Sequence, residues 1–250
     1  MNAALRQTLA PARKPCGSLR VQIADEICVL RCSGALWLPE HRVLVVADLH
    51  LEKGSAFAVR GQMLPPYDSR ATLDRLEAEI ADLAPSVVVL LGDSFHDSRA
   101  IPRMSPEDRA RLDRLSAGRA WLWLEGNHDR DALATRADDP MPLPGEVVSE
   151  TRIGRLTLTH EPAPAGADGA PYGEVAGHLH PSVSVSRYGR TVRRPCFVTD
   201  GERLLMPAFG AFTGGLDVRN PAIADLFISA PLLAALGRDK VHALAWSGLP

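Results

Sequence analysis

The sequence feature that most constrains the fold is a short apolar run that ends abruptly in two metal-binding residue types. Residues 43–47 read Val-Leu-Val-Val-Ala, and Asp48, Leu49 and His50 follow directly. A run this short and this rich in β-branched residues predicts a buried strand and not a helix. Because side chains alternate along a strand, Asp48 and His50 leave it on the same side. A carboxylate and an imidazole placed in this way are typical of the start of a metal site.

Four further predicted strands are followed in the same way by Asp, Asn or His. They end near residues 91, 124, 159 and 176. Ligands of open α/β sheets bind beyond the carboxyl ends of the strands. The sequence therefore predicts one cleft at which seven candidate metal ligands meet: Asp48, His50, Asp93, Asn127, His160, His178 and His180.

Composition restricts the class of protein. The chain has 250 residues, of which 46% are hydrophobic and 23% charged, which is typical of a soluble globular protein with one large domain or two small ones. Its formal net charge is −2, so any nucleic-acid contact must be a local basic patch. No apolar run approaches the ~20 residues of a membrane span and nothing resembles a signal peptide. We therefore expect a cytoplasmic protein without a membrane partner.

The cysteines do not indicate a zinc site or a disulfide framework. The four residues are Cys16, Cys28, Cys32 and Cys196, and their spacings match no common zinc pattern. We expect all four to be reduced and structural.

The first half of the chain predicts an alternation of strands and helices. Residues 1–17 lack apolar periodicity and predict a mobile tail. Asp68 is expected to be the N-cap of a helix that continues through Leu83, and Ser105 the N-cap of a second helix that begins at Pro106. We interpret residues 54–67 as a loop over the cleft. The predicted strands are residues 19–23, 27–30, 35–38, 43–47, 86–91 and 120–124.

The second half predicts mainly short strands. They are residues 147–149, 156–160, 174–176, 183–186, 196–199 and 203–206, with a hairpin tip at residues 188–190. Residues 231–246 are expected to form a closing helix or an extended tail. An α/β half followed by a β-rich half indicates an α/β fold.

The ordered set of motifs resembles the calcineurin-like metallophosphoesterase superfamily. The motifs are Asp48-x-His50, Gly92-Asp93, Gly126-Asn127-His128-Asp129, His160 and Gly177-His178-x-His180. Each motif is common by itself, but the ordered set is specific, and five of the eight histidines fall within it. The resemblance extends over residues 36–212. The sequence of residues 49–54, 65–73 and 205–215 further resembles that of the bacterial ligase-associated DNA damage response endonucleases of the PdeM type.

The resemblance implies a fold and a metal site. The fold is a four-layer α/β/β/α sandwich of two mixed β-sheets flanked by helices, formed by residues 18–250 as a single domain. Two divalent ions are expected, with Asp93 as their shared ligand. One ion would take Asp48, His50, Asp93 and His180, and the other Asp93, Asn127, His160 and His178. Nitrogen and oxygen donors without thiolate suit Mn²⁺, Fe²⁺ or Zn²⁺ better than Ca²⁺, and the resemblance favours Mn²⁺.

His128 follows a metal-ligating Asn, so its side chain is expected to point away from the ions. The resemblance implies that it faces the substrate phosphate, where it would stabilise developing charge or protonate the leaving oxygen. The alternative is that it only holds Asp48 by a hydrogen bond. Asp129 is a candidate partner for a ligating histidine. His96 and Asp97 lie where some relatives have a carboxylate, and they would contact substrate, support a ligand or lie on the surface.

Two further candidates concern the substrate. Arg187 belongs to a cluster with Arg190, Arg193 and Arg194, which would either pair with phosphates beside the cleaved bond or form an ordinary solvated hairpin. Phe209 would either stack on a base or pack beneath the site.

The expected function is a dinuclear metal-dependent phosphodiesterase in which a metal-bound hydroxide attacks phosphorus in line. The resemblance implies DNA as substrate, single-stranded or structured, and a DNA endonuclease linked to repair and to a DNA ligase or helicase. The alternatives are a phosphomonoesterase or small-molecule phosphodiesterase of the same superfamily, and a non-catalytic scaffold. The complete set of candidate ligands argues against a scaffold.

Overall fold

The computed structural model describes residues 12–13, 17–62, 67–128, 130–134, 142–166, 172–187 and 189–248. Within this part of the chain two mixed β-sheets pack against each other, with helices on their outer faces. The predicted four-layer α/β/β/α arrangement is therefore confirmed.

The first sheet contains eight strands in sequence order. Strands β1 to β5 pair antiparallel, and β5, β6, β7 and β8 pair parallel. The strands are β1 Ala12–Arg13, β2 Leu19–Ile23, β3 Glu26–Leu30, β4 Leu36–Leu38, β5 Val43–Val46, β6 Val87–Leu91, β7 Ala120–Leu124 and β8 Glu146–Val148.

The second sheet contains nine strands. Its order is β15-β12-β13-β14-β11-β10-β9, and β16 pairs with β13 and carries β17 on its other side. The strands are β9 Thr151–Ile153, β10 Leu156–Thr159, β11 Glu174–Ala176, β12 Pro181–Arg187, β13 Arg190–Thr199, β14 Arg203–Leu205, β15 Leu216–Asp217, β16 Leu232–Leu236 and β17 Val241–Ala245.

The helices are short, apart from two that cover the first sheet. They are α1 Lys53–Val59, α2 Asp68–Leu83, α3 Ala100–Arg103, α4 Pro106–Ser116, α5 Arg130–Ala134 and α6 Pro221–Ala224, with a 3₁₀ turn at Trp246–Gly248. None of the helices in the described residues has the length and apolarity needed to span a bilayer.

Strand β5 shows how the layers are built. Leu44 and Val46 lie in the core between the first sheet and helices α2 and α4, whereas Val43 and Val45 lie in the core between the two sheets. This is the alternation expected of a strand, and both faces are covered. The buried strand is apolar throughout for this reason, and the first polar residue after it indicates where the strand ends.

Helix α1 corrects the first part of the predicted loop over residues 54–67, since Lys53–Val59 is helical, whereas residues 63–66 of that prediction lie outside the described residues. Its residues show no apolar periodicity, and its N-cap residue, Glu52, makes no side-chain capping bond. The helix is instead held from outside: the carboxylate of Asp68 accepts a hydrogen bond from Gly54 N at 2.9 Å. Because this bond joins residues distant in sequence, a local pattern does not reveal the helix.

The same bond corrects the expected cap of helix α2. The predicted end at Leu83 is right, but the helix begins one residue earlier than expected, because the N-cap residue is Tyr67 and Asp68 is the first helical residue. Its carboxylate satisfies the N-terminus of the neighbouring helix α1 and not that of its own. The predicted cap of helix α4 is confirmed, since Ser105 Oγ accepts a hydrogen bond from Asp108 N at 3.1 Å and Pro106 follows it.

The C-terminal prediction is wrong. Residues 231–246 form the hairpin of β16 and β17 and not a helix or an extended tail. Leu233 and Ala235 pack on the outer core of the second sheet, whereas Ala234 faces the core between the sheets. A strand buried on both faces has no polar alternation, so its pattern does not distinguish it from a helix.

Parts of two other predictions lie outside the described residues. Of the predicted tail, residues 12–13 pair with Leu19 and Arg20, and the mobility of the tail and the single-domain boundary stay predictions. Cys28 and Cys196 are free thiols and Cys32 is half-buried, whereas Cys16 is not described. Burial raises the pKa of the Cys28 and Cys196 thiols, so both stay protonated.

The C-terminal hairpin makes a testable contribution to stability. Leu233 is fully buried, and we expect Leu233→Ala to lower the free energy of unfolding by about 2–5 kcal/mol because it leaves a cavity. Ile228→Ala, at a side chain that is 91% exposed, should change it by less than about 0.5 kcal/mol. Urea denaturation followed by circular dichroism compares the two. Equal stabilities would show that the hairpin does not pack on the sheet.

Candidate metal centre

The candidate ligands meet where parallel strands of both sheets end. Asp48 and Asp93 follow the neighbouring parallel strands β5 and β6, and Asn127 follows β7. His160 and His178 follow β10 and β11, which are parallel neighbours in the second sheet. The polar residues therefore come together because the buried strands end at one edge.

The backbone at this edge is unusual. Five of the candidate ligands have positive φ angles: Asp48 (54°), His50 (45°), Asp93 (46°), His178 (66°) and His180 (45°). Such conformations cost of order 1–3 kcal/mol each and persist where the surrounding structure enforces them. Here Asp48 N donates a hydrogen bond to Gly92 O at 3.2 Å and His50 N donates one to Asp93 O at 2.9 Å. These bonds hold the ends of β5 and β6 together in the turned conformation.

Two motif glycines create space for the ligands. A Cβ atom on Gly92, whose φ is +74°, would lie 2.1 Å from His160 Nδ1. A Cβ atom on Gly126 would lie 2.2 Å from Asp93 Oδ1. Neither position can hold a side chain without moving a candidate ligand, which explains the glycine before Asp93 and the glycine before Asn127.

The first donor group consists of Asp48, His50 and His180. His50 Nε2 lies 3.3 Å from His180 Nε2, which in turn lies 3.3 Å from Asp48 Oδ1. Asp48 is fully buried and His50 is almost so. The Nδ1 atom of His50 is buried without a hydrogen-bond partner in the described residues.

The second donor group consists of Asp93, His160 and His178. His160 Nε2 lies 3.3 Å from His178 Nδ1 and 3.4 Å from Asp93 Oδ1. Asn127 joins this group, since its Oδ1 lies 3.0 Å from His160 Nε2. The other ring nitrogen of His160 lies 3.2 Å from Leu91 O. A proton on Nδ1 donated to that carbonyl leaves Nε2 available to a metal ion.

Asp93 lies between the two groups. Its Oδ1 faces His160, whereas its Oδ2 lies 4.0 Å from His50 Nε2 in the first group. The two oxygens of this carboxylate therefore face different groups, and Asp93 is the residue that would serve as a ligand shared by two ions.

The spacing of the donors fits metal ions. Atoms that bind one ion at about 2.1 Å lie about 3.0–3.4 Å apart in octahedral or tetrahedral geometry, and the contacts within each group fall at 3.0–3.4 Å. Two imidazole nitrogens that face each other, as in His50 and His180, share at most one hydrogen bond between them. The two groups fit a dinuclear metal centre, made of nitrogen and oxygen donors without thiolate.

The pKa values of two clustered histidines, His160 and His50, shift in opposite directions. Burial lowers the pKa of His160, but the hydrogen bond to Asp93 and the charges of Asp48 and Asp93 outweigh burial and raise that pKa to about 9. For His50, burial and the neighbouring His180 lower the pKa to about 3. The pKa of Asp93 falls to about 2, because hydrogen bonds from His160 and from His128 N outweigh its burial. Without metal, His160 therefore holds the proton that a cation must displace.

His128 lies beside the cluster but outside both donor groups. Its ring is 48% exposed, and its Nε2 lies 4.0 Å from Asp93 Oδ2. Its backbone N donates a hydrogen bond to Asp93 Oδ1 at 3.0 Å. Among the described residues no hydrogen bond joins His128 to Asp48, so the alternative role of holding Asp48 gains no support. The ring is therefore partly accessible to solvent beside the two donor groups.

His96 belongs to the same wall of the cleft. Its ring stacks against His128, with centroids 6.2 Å apart, and lies 6.0 Å from the ring of His50. Phe57 of helix α1 covers it at 5.7 Å. Burial and the charge of Lys53 lower the pKa of His96. This places His96 beside the site rather than on the open surface.

The remaining candidates are not brought to the donors. Asp97 accepts hydrogen bonds from Arg103 of helix α3 at 2.9 and 3.0 Å, so its carboxylate binds that arginine and not the donor groups. Phe209 is fully buried, and Arg75 lies over its ring at 5.1 Å, in agreement with packing beneath the site. Asp129 and the side chain of Arg187 lie outside the described residues.

Sequence reasoning missed the residues that hold helix α1 beside the metal centre. Glu52 is buried, and its carboxylate accepts hydrogen bonds from Ser55 Oγ at 2.7 Å and Ser69 Oγ at 2.9 Å. Burial raises the pKa of Glu52 despite these bonds. Arg103 extends the network, with Nε donating to Ser55 Oγ at 3.0 Å. The available signal was the joint occurrence of Glu52 and Ser69 in the family-like stretches 49–54 and 65–73.

The position of Asp93 between the groups predicts a double metal loss. We expect Asp93→Ala to lower metal affinity at both groups by more than the ~10–100-fold typical of a residue that only supports a ligand. Metal content after Mn²⁺ loading and desalting, measured by elemental analysis, tests this. The matched control is Asp97→Asn, which should retain metal because Asp97 pairs with Arg103. Normal metal content in Asp93→Ala would contradict the shared-ligand geometry.

Comparison with known proteins gives a family match and a similar solved structure. A family model described as calcineurin-like phosphoesterase matches residues 41–206. A nuclease from Pseudomonas putida, MPE, is 31% identical with a TM-score of 0.68, covering 91% of this chain and 100% of its own. No curated protein matches the chain.

Two less similar structures also match most of the chain. The phosphoesterase Yfce from E. coli is 18% identical with a TM-score of 0.40, covering 81% of this chain and 98% of its own. Vps29 from Cryptosporidium parvum is 18% identical with a TM-score of 0.31, covering 81% of this chain and 95% of its own. The family match spans well over half of the chain and includes every motif strand, so the chain belongs to the calcineurin-like phosphoesterases and is a hydrolase of phosphoester bonds.

Proposed function

We propose that this protein is a dinuclear metal-dependent phosphodiesterase that cuts DNA internally. The observation that carries the proposal is the pair of donor groups around Asp93, with the exposed ring of His128 beside them. Similarity to a nuclease supports a nucleic acid as substrate. We assign Asp48, His50 and His180 to one ion and Asn127, His160 and His178 to the other, with Asp93 shared.

The candidate residues have different proposed roles in the reaction. Two divalent ions, when bound, supply a nucleophile at neutral pH and neutralise the phosphate oxygens. Asp48 and Asp93 lower the net charge of the site, and the five neutral donors set its shape. His128 is placed to donate a proton or a hydrogen bond to the phosphate or to the leaving oxygen. His96 backs the ring of His128 and limits its movement.

The role of His128 predicts a separation of turnover from metal binding. We expect His128→Asn to lose on the order of 10²-fold in kcat, because a positioned acid or charge-stabilising donor contributes about that much. Metal content should stay at the wild-type value, since His128 lies in neither donor group. The matched control is His242→Asn, at an exposed position of β17, which should retain full turnover. Loss of metal together with turnover would instead make His128 a ligand or a support for one.

The charges of the site favour a diester over a monoester. Two divalent ions bring four positive charges, and among the proposed ligands only Asp48 and Asp93 are anionic. A hydroxide nucleophile leaves a single positive charge, which one phosphodiester neutralises and a monoester dianion exceeds. In a partly desolvated cleft this difference favours the diester. A proton on His128 would add one positive charge and narrow this preference, because the site would then also balance the second charge of a monoester.

We therefore expect bis-p-nitrophenyl phosphate to be cleaved with a higher kcat/KM than p-nitrophenyl phosphate, with Mn²⁺ near neutral pH. Nicking of single-stranded circular DNA should accompany it. A single assay with both esters and circular DNA tests the proposal, and metal-free protein is its control. Monoester hydrolysis as the main activity, without nicking, would reject the nuclease and favour a phosphomonoesterase.

The finer assignments rest on the donor set and on the sequence resemblance. We propose Mn²⁺ as the metal, with Fe²⁺ and Zn²⁺ as the alternatives that suit the same donors. We propose single-stranded or structured DNA as the substrate and a role in DNA repair beside a ligase or helicase. A cytoplasmic location stays a prediction from the sequence.

A further inference from the structure

A cavity of about 240 Å³ opens next to the metal centre on the side of His180. Its walls include His180, Ser182, Arg193, Pro195, Ala208 and Gly215. The cavity shares His180 with the first donor group. It is smaller than the ~300–1,000 Å³ typical of sites for drug-sized ligands, so it suits one unit of a chain whose neighbouring unit lies at the metals.

The floor of the cavity is fixed to the metal centre. A Cβ atom on Gly215 would lie 2.4 Å from His180 O, so the loop before β15 can pass this closely only as glycine. Leu216 N then donates a hydrogen bond to His180 O at 3.1 Å. This part of the cavity wall is therefore joined directly to His180.

Arg193 supplies a positive charge to this cavity. Its Nε donates a hydrogen bond to Ser182 Oγ at 2.7 Å, and its Nη2 donates one to Gly215 O at 2.6 Å. Both acceptors are neutral, and within the described residues no carboxylate forms an ion pair with Arg193. By contrast, Arg103 and Arg203 pair with Asp97 and Glu174. Arg193 is thus oriented without being neutralised, which suits an arginine that binds an anion.

A row of hydroxyl groups continues from the cavity. Along β12, Ser182, Ser184 and Ser186 alternate with apolar residues that face the other side of the sheet. Ser184 is paired with Arg193 across the hairpin, and Ser186 Oγ lies 2.8 Å from Thr191 Oγ1. Arginines and hydroxyls are the groups that contact the phosphates and sugars of nucleic acids.

We propose that this cavity binds the nucleotide next to the cleaved linkage, with Arg193 on the neighbouring phosphodiester. The sugar or base of that nucleotide packs against Pro195 and Ala208, which form the apolar part of the wall. The inference rests on the proposed DNA-cleaving function and names a residue that selects a polymer over a simple ester. Arg193 is a binding residue and takes no part in the bond cleavage.

The test uses short single-stranded oligonucleotides in which every linkage is a neutral methylphosphonate except one cleavable phosphodiester. A second phosphodiester is then restored on its 5′ or on its 3′ side. For the wild type, restoring one of the two neighbours should raise kcat/KM at the first linkage by about tenfold, the value of a modest charge-assisted contact. In Arg193→Gln the same restoration should have no effect, because the partner of that phosphate is gone.

Arg194→Gln is the matched control. Arg194 is exposed and adjacent to Arg193 in sequence. It pairs with Val183 across the hairpin, so its side chain lies on the face of β13 opposite to that of Arg193. The Arg194→Gln variant should therefore gain the full tenfold. If Arg193→Gln gains as much as the wild type, the subsite is wrong. Bis-p-nitrophenyl phosphate has no neighbouring phosphate. If Arg193→Gln lowers kcat/KM for this ester as much as for the oligonucleotide, the subsite is also wrong, since Arg193 would then only support His180.

The wild-type arm separates this inference from the proposed function. Wild-type protein that cleaves unmodified oligonucleotides but shows no gain from either neighbour would overturn the subsite alone. Wild-type protein that cleaves bis-p-nitrophenyl phosphate but no oligonucleotide would overturn both.

Discussion

The structure depends on the way in which two buried carboxylates are satisfied. Asp48 and Asp93 are almost inaccessible to solvent, and an ionised carboxylate in such a place is costly unless it is paired and hydrogen-bonded. His178 N, from the second sheet, donates to both oxygens of Asp48 at 3.2 and 3.1 Å, and His128 N donates to Asp93 Oδ1. Because the donors to Asp48 come from the opposite sheet, the charge that would bind metal also fixes how the two sheets meet.

The elements around the cluster are arranged to keep this edge rigid. Phe209 N and Gly210 N donate hydrogen bonds to Ala47 O and Asp48 O, so the loop after β14 continues the end of β5. Helix α2 holds that loop through Arg75, whose Nη1 donates to Phe209 O at 3.0 Å. Helix α1 reaches the same loop through Lys53 Nζ and Phe212 O at 2.9 Å. The catalytic cleft and the cavity beside His180 are thus built on one connected backbone and not on separate flexible loops.

The agreement between sequence and structure depends on the range of the interactions. The strands β5, β6 and β7 were predictable because burial on both faces makes them apolar and makes Asp48, Asp93 and Asn127 conspicuous at their ends. Helix α1 was missed because Asp68 caps it from a different part of the chain. Strand β16 was misread because an apolar run of its length is compatible with either a strand or a buried helix. In both failures the deciding contact is distant in sequence.

The sequence by itself determined the fold class and the identity of the candidate ligands, because strand ends and motif order are local properties. The family resemblance implied how those ligands divide into two groups around Asp93, and the tertiary structure gives the physical reason, since each oxygen of Asp93 faces a histidine of a different group. Only the tertiary structure decided the positions of Asp97 and Phe209, which pair and pack away from the donors. Arg193 was one of four similar arginines in the sequence, and the pairing of β12 with β13 and β15 is what places it beside the metal centre.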